Sequence, residues 1–417
     1  MKILWLCNLV FPELSSEFGL KKYQSGGWMT GLWSELKRND KLQLGICVPI
    51  YDTFRMKDGI HENYKYYSFH ASLNEGALDE TEDRFMEILT EFEPDVIHIW
   101  GTEYLHSFAM VCACRRHGRL GQVVVNIQGL ISICALHYGF GLSETDRTAE
   151  KKGRSIQDEI DDFKMRGRYE IQLLKNVKHV VGRTEWDRAC VLKINPALAY
   201  NHCGEFLRAV FYENNVLWDV EKCERHSIFI SQAMYPVKGL HLALETIAQL
   251  KEQYSDLRVY ITGTNLMEND SAYTSYIRKK IDFYNLWDVI VFVGVVSAEE
   301  MLQYYIRANV FLSASTIENS SNSICEALRV GVPVVSSYVG GTMSLVEHGK
   351  SGFLYPLDAG YMQYYYIKQI FDDDILAMYL SRNAAARSEI INNKGEILKT
   401  VSAIYRKAAE DNPDGRG

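Results

Sequence analysis

Short apolar runs bounded by small polar residues alternate with longer stretches whose apolar positions recur at three- and four-residue spacing, and the alternation runs through most of the chain. Runs of the first kind read as buried strands and stretches of the second kind as amphipathic helices. In the first half the pattern predicts strands at residues 3–7, 42–49, 95–100, 122–128 and 179–183, and helices at 26–36, 81–92, 102–117, 156–174 and 186–192. It weakens between residues 202 and 224 and then resumes. The second series predicts strands at 228–231, 257–262, 289–293, 310–312, 333–337 and 352–355, with helices at 240–254, 273–283 and 298–306 and further helices to about 408. Strand and helix alternating in this way mark open parallel sheets with helices on both faces. The predicted fold is α/β, with two doubly wound, Rossmann-like domains at residues 1–220 and 221–390 and a closing segment, 391–417, that holds a last helix and a disordered tail, DNPDGRG. Residues 130–154 mix aromatic residues, glycines and charges and are expected to form an irregular excursion.

Residues 310–331, VFLSASTIENSSNSICEALRVG, carry the densest chemistry. A buried strand ends near Leu312. The cluster from Glu318 to Ser323 is rich in side chains that cap helices, and Ile324, Ala327 and Leu328 follow at helical spacing, so a helix starts near Ser321. Its N-terminal N–H groups and dipole, at the carboxyl edge of a parallel sheet, form an anion site that suits a phosphate. Glu318 precedes the helix. Glu326 lies on it about 200° around from Ile324, away from the Ile324/Leu328 stripe. Both carboxylates are expected to face a cleft; the plainer alternative makes Glu318 a partner of the helix dipole and Glu326 a solvated surface side chain.

Glu318 and Glu326 are separated by seven residues, and a framework stands around them in order: Lys238-Gly239 after a strand, Gly263 closing the next, Gly294 closing a third, then Gly331-Val332-Pro333-Val334-Val335 and Gly340-Gly341. With this framework residues 227–356 resemble the nucleotide-binding half of retaining glycosyltransferases of GT-B architecture, the Glu-x7-Glu type also known as family 4-like or group 1. The resemblance implies two Rossmann-like domains facing a cleft, a last helix crossing back onto the N-terminal domain, and transfer of a sugar from a nucleotide diphosphate with retention. By the same resemblance Lys238 matches the lysine that meets the diphosphate and Glu318 the glutamate that hydrogen-bonds the donor sugar near the reacting centre, the two catalytic candidates. Glu326 matches the carboxylate that receives both ribose hydroxyls. Ser321, Asn322 and Ser323 would supply further donors, and Thr264 with the turn Val295-Val296 lies where the base is held. In the first half, Gly26-Gly27 matches the family's glycine-rich loop, where backbone approaches phosphate because no Cβ intervenes. Arg183 and Thr184, ending a strand, would extend the phosphate clamp.

Two positions depart from that pattern. Ala233 stands where the family has an arginine five residues before the lysine, with Arg183 the candidate to replace it, and Gln128 stands where members often have a histidine. Gln128, His98, Glu103 and His106 lie near the carboxyl ends of two predicted strands and are the acceptor-side candidates; for the histidines a satisfied structural role is the competing explanation.

Composition narrows the function classes. A chain of 417 residues suits two domains of about 200 each. The net charge of −8 argues against nucleic acid as a partner, so an anionic donor needs a local basic site. Nine scattered cysteines without a CxxC pair point to reduced thiols rather than a disulfide framework or zinc site. No Asp-x-Asp pair ends a strand, Asp372 to Asp374 reading as a helix boundary, so no metal is expected, and no cofactor beyond the nucleotide sugar itself. MKILWLCNLVF reads as a strand rather than a signal peptide, since Asn8 breaks it and no cleavage site follows. No run approaches the roughly 18 to 20 apolar residues of a membrane span. The expected location is the cytoplasm, with the inner membrane face as a peripheral alternative. Lys151, Lys152, Arg154, Lys164, Arg166 and Arg168 would there meet anionic lipid or acceptor, unless they are simply a solvated face.

The expected activity is transfer of a sugar from a UDP-sugar, in preference to a GDP-sugar, to a saccharide or lipid-linked acceptor in assembly of a cell-surface polysaccharide or glycolipid. The alternatives are a nucleotide-sugar epimerase or a phosphorylase on the same architecture, and a catalytically weak relative that binds nucleotide sugar or a partner, which Ala233 and Gln128 keep in view.

Overall fold

The structure is a computed structural model that describes residues 1–20, 27–51, 55–266 and 268–411. The chain divides into two compact units. One takes in Met1–Ser132, Lys164–Phe206 and the chain from Asn393 on; the other takes in Ile133–Phe163 and Leu207–Asn392.

The first unit holds β1 (Lys2–Leu6), β2 (Gln43–Ile50), β3 (Gly59–His61), β4 (Tyr64–His70), β5 (Val96–Trp100), β6 (Val123–Asn126), β7 (His179–Gly182) and β8 (Ala199–His202). They form one sheet in the order β3-β4-β2-β1-β5-β6-β7-β8, parallel except where β3 runs against β4. The centre is apolar on both faces, β1 burying Ile3, Leu4, Trp5 and Leu6 and β5 burying every residue, as helices on both sides require. Strand order reverses between β1 and β5, so consecutive crossovers leave that edge in opposite directions.

β4 was not singled out by apolar alternation. It reads YKYYSFH, and its tyrosines bury their rings while Tyr64 and Tyr67 pass their hydroxyls to Glu13 (2.8 Å) and Glu91 (3.0 Å). Other boundaries shift. β6 stops at Asn126 rather than residue 128, and the helix after β5, expected over 102–117, is Leu105–Arg116, because Gly101 turns at φ +94° and the Thr102 hydroxyl is drawn to Glu170 (2.6 Å). Glu170, on the helix Ile156–Asn176, is fully buried and accepts also from the Ile131 and Ser132 N–H groups (2.9 and 3.0 Å) and the Ser132 hydroxyl (2.5 Å), so one carboxylate pins the loops leaving β5 and β6.

The second unit holds β9 (Glu224–Ile230), β10 (Arg258–Thr262), β11 (Ile290–Gly294), β12 (Ala308–Ser313), β13 (Val334–Ser337) and β14 (Phe353–Tyr355), all parallel in the order β11-β10-β9-β12-β13-β14. Its order reverses between β9 and β12. Here the expected strands appear within a residue or two, except that β9 starts four residues before 228. The acidic run 372–374 is a helix boundary, with the Asp373 side chain accepting the Leu376 N–H at 2.9 Å to start Asp374–Ile391.

The units part at Phe206/Leu207 rather than at residue 220, and the stretch expected to be an irregular excursion forms the helices Ile131–His137 and Glu144–Thr148. Residues 133–163 belong to the second unit, where the Phe140 carbonyl accepts from His241 Nε2 at 2.8 Å. The last helix, Lys394–Glu410, belongs to the first unit and buries Ile397, Val401, Ile404, Tyr405 and Ala408. Asp411 then takes Lys178 and His179 at 2.7 and 2.6 Å; the rest of the tail lies outside the described residues. Among the described residues no helix is long and apolar enough to cross a membrane.

The Tyr405 hydroxyl is buried between Trp5 Nε1, which donates to it at 3.0 Å, and His98 Nδ1 at 2.6 Å. Tyr405→Phe leaves both nitrogens buried without a partner and is expected to destabilise the first unit by about 2–4 kcal/mol. Urea unfolding should show a lower midpoint with little change in slope.

Candidate active site

The site starts where β9 and β12 lie side by side and their connections diverge. β9 leaves through Ser231 and Gln232 into the turn Pro236–Lys238, and Gly239, at φ +67°, starts the helix Leu240–Gln253. A Cβ on Gly239 would overlap the Ala314 carbonyl oxygen just past the end of β12. The Thr316 N–H donates to the Val237 carbonyl at 2.8 Å, so the lysine's turn lies directly against the other strand's exit.

A second pair of glycines fixes the opposing carboxylate. The Gly341 N–H donates to the Glu318 carbonyl at 2.9 Å, and a Cβ on Gly340, at φ +51°, would overlap that same oxygen. Lys238 Nζ consequently meets Glu318 Oε1, which also accepts from the Ser315 hydroxyl at 2.8 Å. Burial by itself lowers the Lys238 ammonium, and the Glu318 charge beside it wins, holding it above the ordinary lysine value. Both line one pocket with Ser231, Gln232, Ser315, Ser321 and Ser323, and Lys238 is the one cation among the described residues lining it.

The helix Asn322–Val330 begins at this pocket as expected and ends on Gly331 in the left-handed region. The Ser321 side chain makes no capping bond, so the first-turn N–H groups are not claimed by their N-cap side chain and retain the character of an anion site. Asn322 and Thr264 are not among the residues lining the pocket. Thr264 is exposed just past β10, beyond Gly263, whose N–H donates to the Gly294 carbonyl at 2.9 Å; Val295, beyond β11, is likewise exposed at the same edge of the sheet.

Glu326 departs from expectation. It does not face a cleft: it is buried, and Arg208 grips it with Nε on Oε1 and Nη2 on Oε2, both at 2.7 Å, while the Tyr305 hydroxyl lies 3.3 Å from Oε2. Burial pushes its carboxyl above the ordinary range, and the Arg208 guanidinium opposes that push. The helix is buried nearly all round, at Ile324, Cys325, Ala327, Leu328 and Val330 as well, so no apolar stripe leaves Glu326 a solvent face. Glu326 still lies one turn along from Ser323, on the same face of the helix, and opens onto no separate surface. Arg208 stands 118 residues from its partner and carries no local signal of this role.

In the first unit, Gly27 begins the helix Gly27–Lys37; Gly26 lies outside the described residues. Arg183 does not extend a phosphate clamp as expected. It is buried, donates to the Ile127 carbonyl at 2.7 Å and is paired with Glu205, because the loop leaving β6 presents carbonyls that need a donor. Thr184 caps the helix Glu185–Ile194 in a reciprocal box with Asp187. Gln128 donates to Asn126 Oδ1 at 3.0 Å and to Glu205 Oε1 at 3.4 Å.

Both histidines are structural. His98 sits mid-strand in β5, stacked on Trp100 at 4.6 Å, and burial lowers it to about 3. His106 is buried with Nε2 2.9 Å from Asn8 Oδ1, also lowered to about 3 by burial. Glu103 is different. It is partly exposed as a residue, but its Oε2 is shut from solvent without a hydrogen-bond partner among the described residues, and Oε1 accepts the Gly129 N–H at 3.0 Å. Burial, with the Glu170 charge adding to it, pushes its carboxyl up to about 7. Of the basic residues between 151 and 168, Lys151 and Lys152 meet Asp270 at 3.3 and 3.4 Å, Arg154 meets Asp162, and Arg166 donates to the Glu103 carbonyl at 3.1 Å.

Comparison with known proteins brings in a family. Residues 220–387 match the model of the family "Glycosyl transferases group 1". The putative colanic acid biosynthesis glycosyltransferase WcaL of Salmonella typhimurium is 38% identical over 125 residues, 28% of this chain and 29% of that protein, so the chain spans under a third of that relative's length. Sucrose-phosphate synthase of Thermosynechococcus elongatus superposes with a TM-score of 0.75 over 98% of each chain at 18% identity. Anabaena HepE, solved in complex with UDP-glucose, superposes with a TM-score of 0.68 over 98% of each at 16% identity. What these structures share with the chain is the GT-B fold.

Gly239→Ala forces a Cβ onto the Ala314 carbonyl from a left-handed backbone and is expected to destabilise the second unit by about 2–5 kcal/mol, read as a lowered melting temperature. Glu103 yields a pH dependence. Its folded value lies above the unfolded carboxyl value of about 4.3, so the stabilisation is whole below that and is lost as pH rises through about 7. Glu103→Gln cannot ionise, and the wild type should lose on the order of 2 kcal/mol relative to it between about pH 5 and pH 8. Parallel stability profiles in urea would contradict this.

Proposed function

We propose, from the match of residues 220–387 to the model of the glycosyl transferases group 1 family, that the protein moves a sugar with retention of configuration from a nucleotide-diphosphate donor to a saccharide or lipid-linked acceptor. The donor is a UDP-sugar in preference to a GDP-sugar, and the product is part of a cell-surface polysaccharide or glycolipid assembled from the cytoplasmic side. The observation that carries this is the contact of Lys238 and Glu318 at the point where strand order reverses, beside a helix N-terminus that its own N-cap side chain leaves uncapped. The UDP-glucose complex of Anabaena HepE and the colanic acid role in WcaL's name support the donor class and the setting.

In this reading the diphosphate lies over the first turn of Asn322–Val330, with Ser321 and Ser323 at its edge. Lys238 neutralises the charge that grows on the β-phosphate as the bond from the anomeric carbon to the phosphate oxygen breaks. Glu318 holds that ammonium in place and accepts a hydroxyl of the donor sugar. The acceptor oxygen forms its bond to the anomeric carbon on the face the phosphate leaves, and its proton passes to the departing phosphate oxygen, so the products are a glycoside and a nucleoside diphosphate. The reading takes no metal and no cofactor beyond the donor. Glu103, a carboxyl with a value near 7, is the acceptor-side candidate whose titration falls where proton transfer is useful.

A second reading, a catalytically weak relative that binds nucleotide sugar, is favoured by one observation: Arg183 is committed to Glu205 and to backbone carbonyls and does not make up for Ala233. Release of nucleoside diphosphate from a panel of nucleotide sugars separates the two. A transferase is expected to lose about 10²-fold or more of that release in Lys238→Ala and in Glu318→Ala. Binding with no release sensitive to these substitutions supports the binder, and interconversion of two donors without acceptor supports an epimerase.

A further inference from the structure

We propose that Gln232, held in place by Tyr235, is an anion-binding side chain of the pocket that contains Lys238, so that the pocket takes phosphate through a neutral amide as well as through its paired lysine. That the anion belongs to a nucleoside diphosphate rests on the reading given above; the role of Gln232 rests on the pocket itself and goes beyond that reading.

The balance of donors and acceptors carries the inference. The pocket offers the hydroxyls of Ser231, Ser313, Ser321 and Ser323, the amide of Gln232 and the first-turn N–H groups of Asn322–Val330. Against these stands one carboxylate, Glu318, whose Oε1 is already engaged by Lys238 and by the Ser315 hydroxyl. A ligand that fits brings several acceptor oxygens and few protons, as a phosphate does. The lysine cannot hold such a ligand with its full charge, because Glu318 sits beside it. Neutral donors then carry much of the hold, and Gln232 is the amide among them.

Local sequence sets where that amide points. Pro236 confines the residue before it to extended backbone, and Tyr235 stands at φ −146° and ψ 152°. The turn that follows is closed by the Lys238 N–H on the Tyr235 carbonyl at 3.0 Å, and a turn of this kind eclipses side chains three residues apart. The Lys238 ammonium accordingly lies 5.8 Å from the centre of the Tyr235 ring. The hydroxyl at the far end of that ring donates to Gln232 Oε1 at 3.3 Å. With its oxygen engaged, the Gln232 amide keeps both N–H protons for the pocket that it lines. One tyrosine locates the lysine with its ring and the amide with its hydroxyl.

The test measures dissociation constants by calorimetry on the full chain for UDP, GDP and inorganic pyrophosphate, in Gln232→Ala, Gln232→Glu and Gln232→Lys. Both Gln232 and Tyr235 are exposed, so substitution leaves the core intact. The salt is kept at about 0.15 M, where a charge more than about 8 Å from the ligand is largely screened. For the ligand that binds most tightly, Gln232→Ala should weaken binding about 5- to 30-fold and Gln232→Glu about 100-fold or more, while Gln232→Lys should bind at least as tightly as the wild type. Tyr235→Phe keeps the ring and loses the hydroxyl, and should weaken binding about 3- to 10-fold. Added to Gln232→Ala it should cost less than about 2-fold more, since the two act as one unit; a merely structural tyrosine would make the two losses multiply, and that result overturns its positioning role. Glutamate and lysine variants that bind within about 3-fold of each other overturn the inference. If the series holds for pyrophosphate while neither nucleotide binds, the inference stands and the nucleotide-sugar reading fails; if none of the three ligands binds, both fail.

Discussion

A glycine with no side chain lets the turn that carries Lys238 rest on the last carbonyls of β12, and the candidate site is assembled on that approach. Two parallel strands side by side ordinarily keep their exits apart, because each connection leads to a helix that must clear its neighbour. Gly239 removes the atom that would stand in the way, the Val237 carbonyl accepts the Thr316 N–H, and the lysine ends within reach of Glu318. Gly340 and Gly341 do the same for the other side, holding the Glu318 backbone from behind. The glycines of this framework act as spacers that let backbone meet backbone, and the charged pair is the result.

The buried carboxylates divide the work in a consistent way. Glu170 has four donors and serves the fold, tying two loops of the first unit to one helix. Glu318 and Glu326 each have a cationic partner and stay at the pocket wall or one helical turn behind it. Glu103 has an oxygen shut from solvent with no partner among the described residues, and burial, with the Glu170 charge adding to it, puts its value near 7. The number of donors around each carboxylate sets whether it acts as a structural tie, a fixed acceptor or a titrating group.

Most of the secondary structure could be read from apolar periodicity, because a strand buried on both faces and a helix buried on one leave different spacings; the contact of Lys238 with Glu318 joins two residues that the sequence reading had singled out together. Where reading failed, the cause was a polar atom on an otherwise buried side chain or a partner far along the chain. β4 hid its apolar character behind tyrosine hydroxyls that reach rim carboxylates. Arg183, at a strand end, has the position of a phosphate ligand and the environment of a core arginine, and only its carbonyl partners and Glu205 distinguish the two.

By itself the sequence determined the α/β class, the two series of strands, the helix that starts at Ser321 and the polar cluster before it, since these follow from local propensity and spacing. Tertiary structure alone decided that residues 133–163 belong to the second unit, that His98 and His106 are neutral core residues, and that Glu326 is turned inward onto Arg208. The physical reason is that a side chain's charge state and exposure depend on which atoms desolvate and bond it, and those atoms come from residues whose distance along the chain bears no relation to their distance in space.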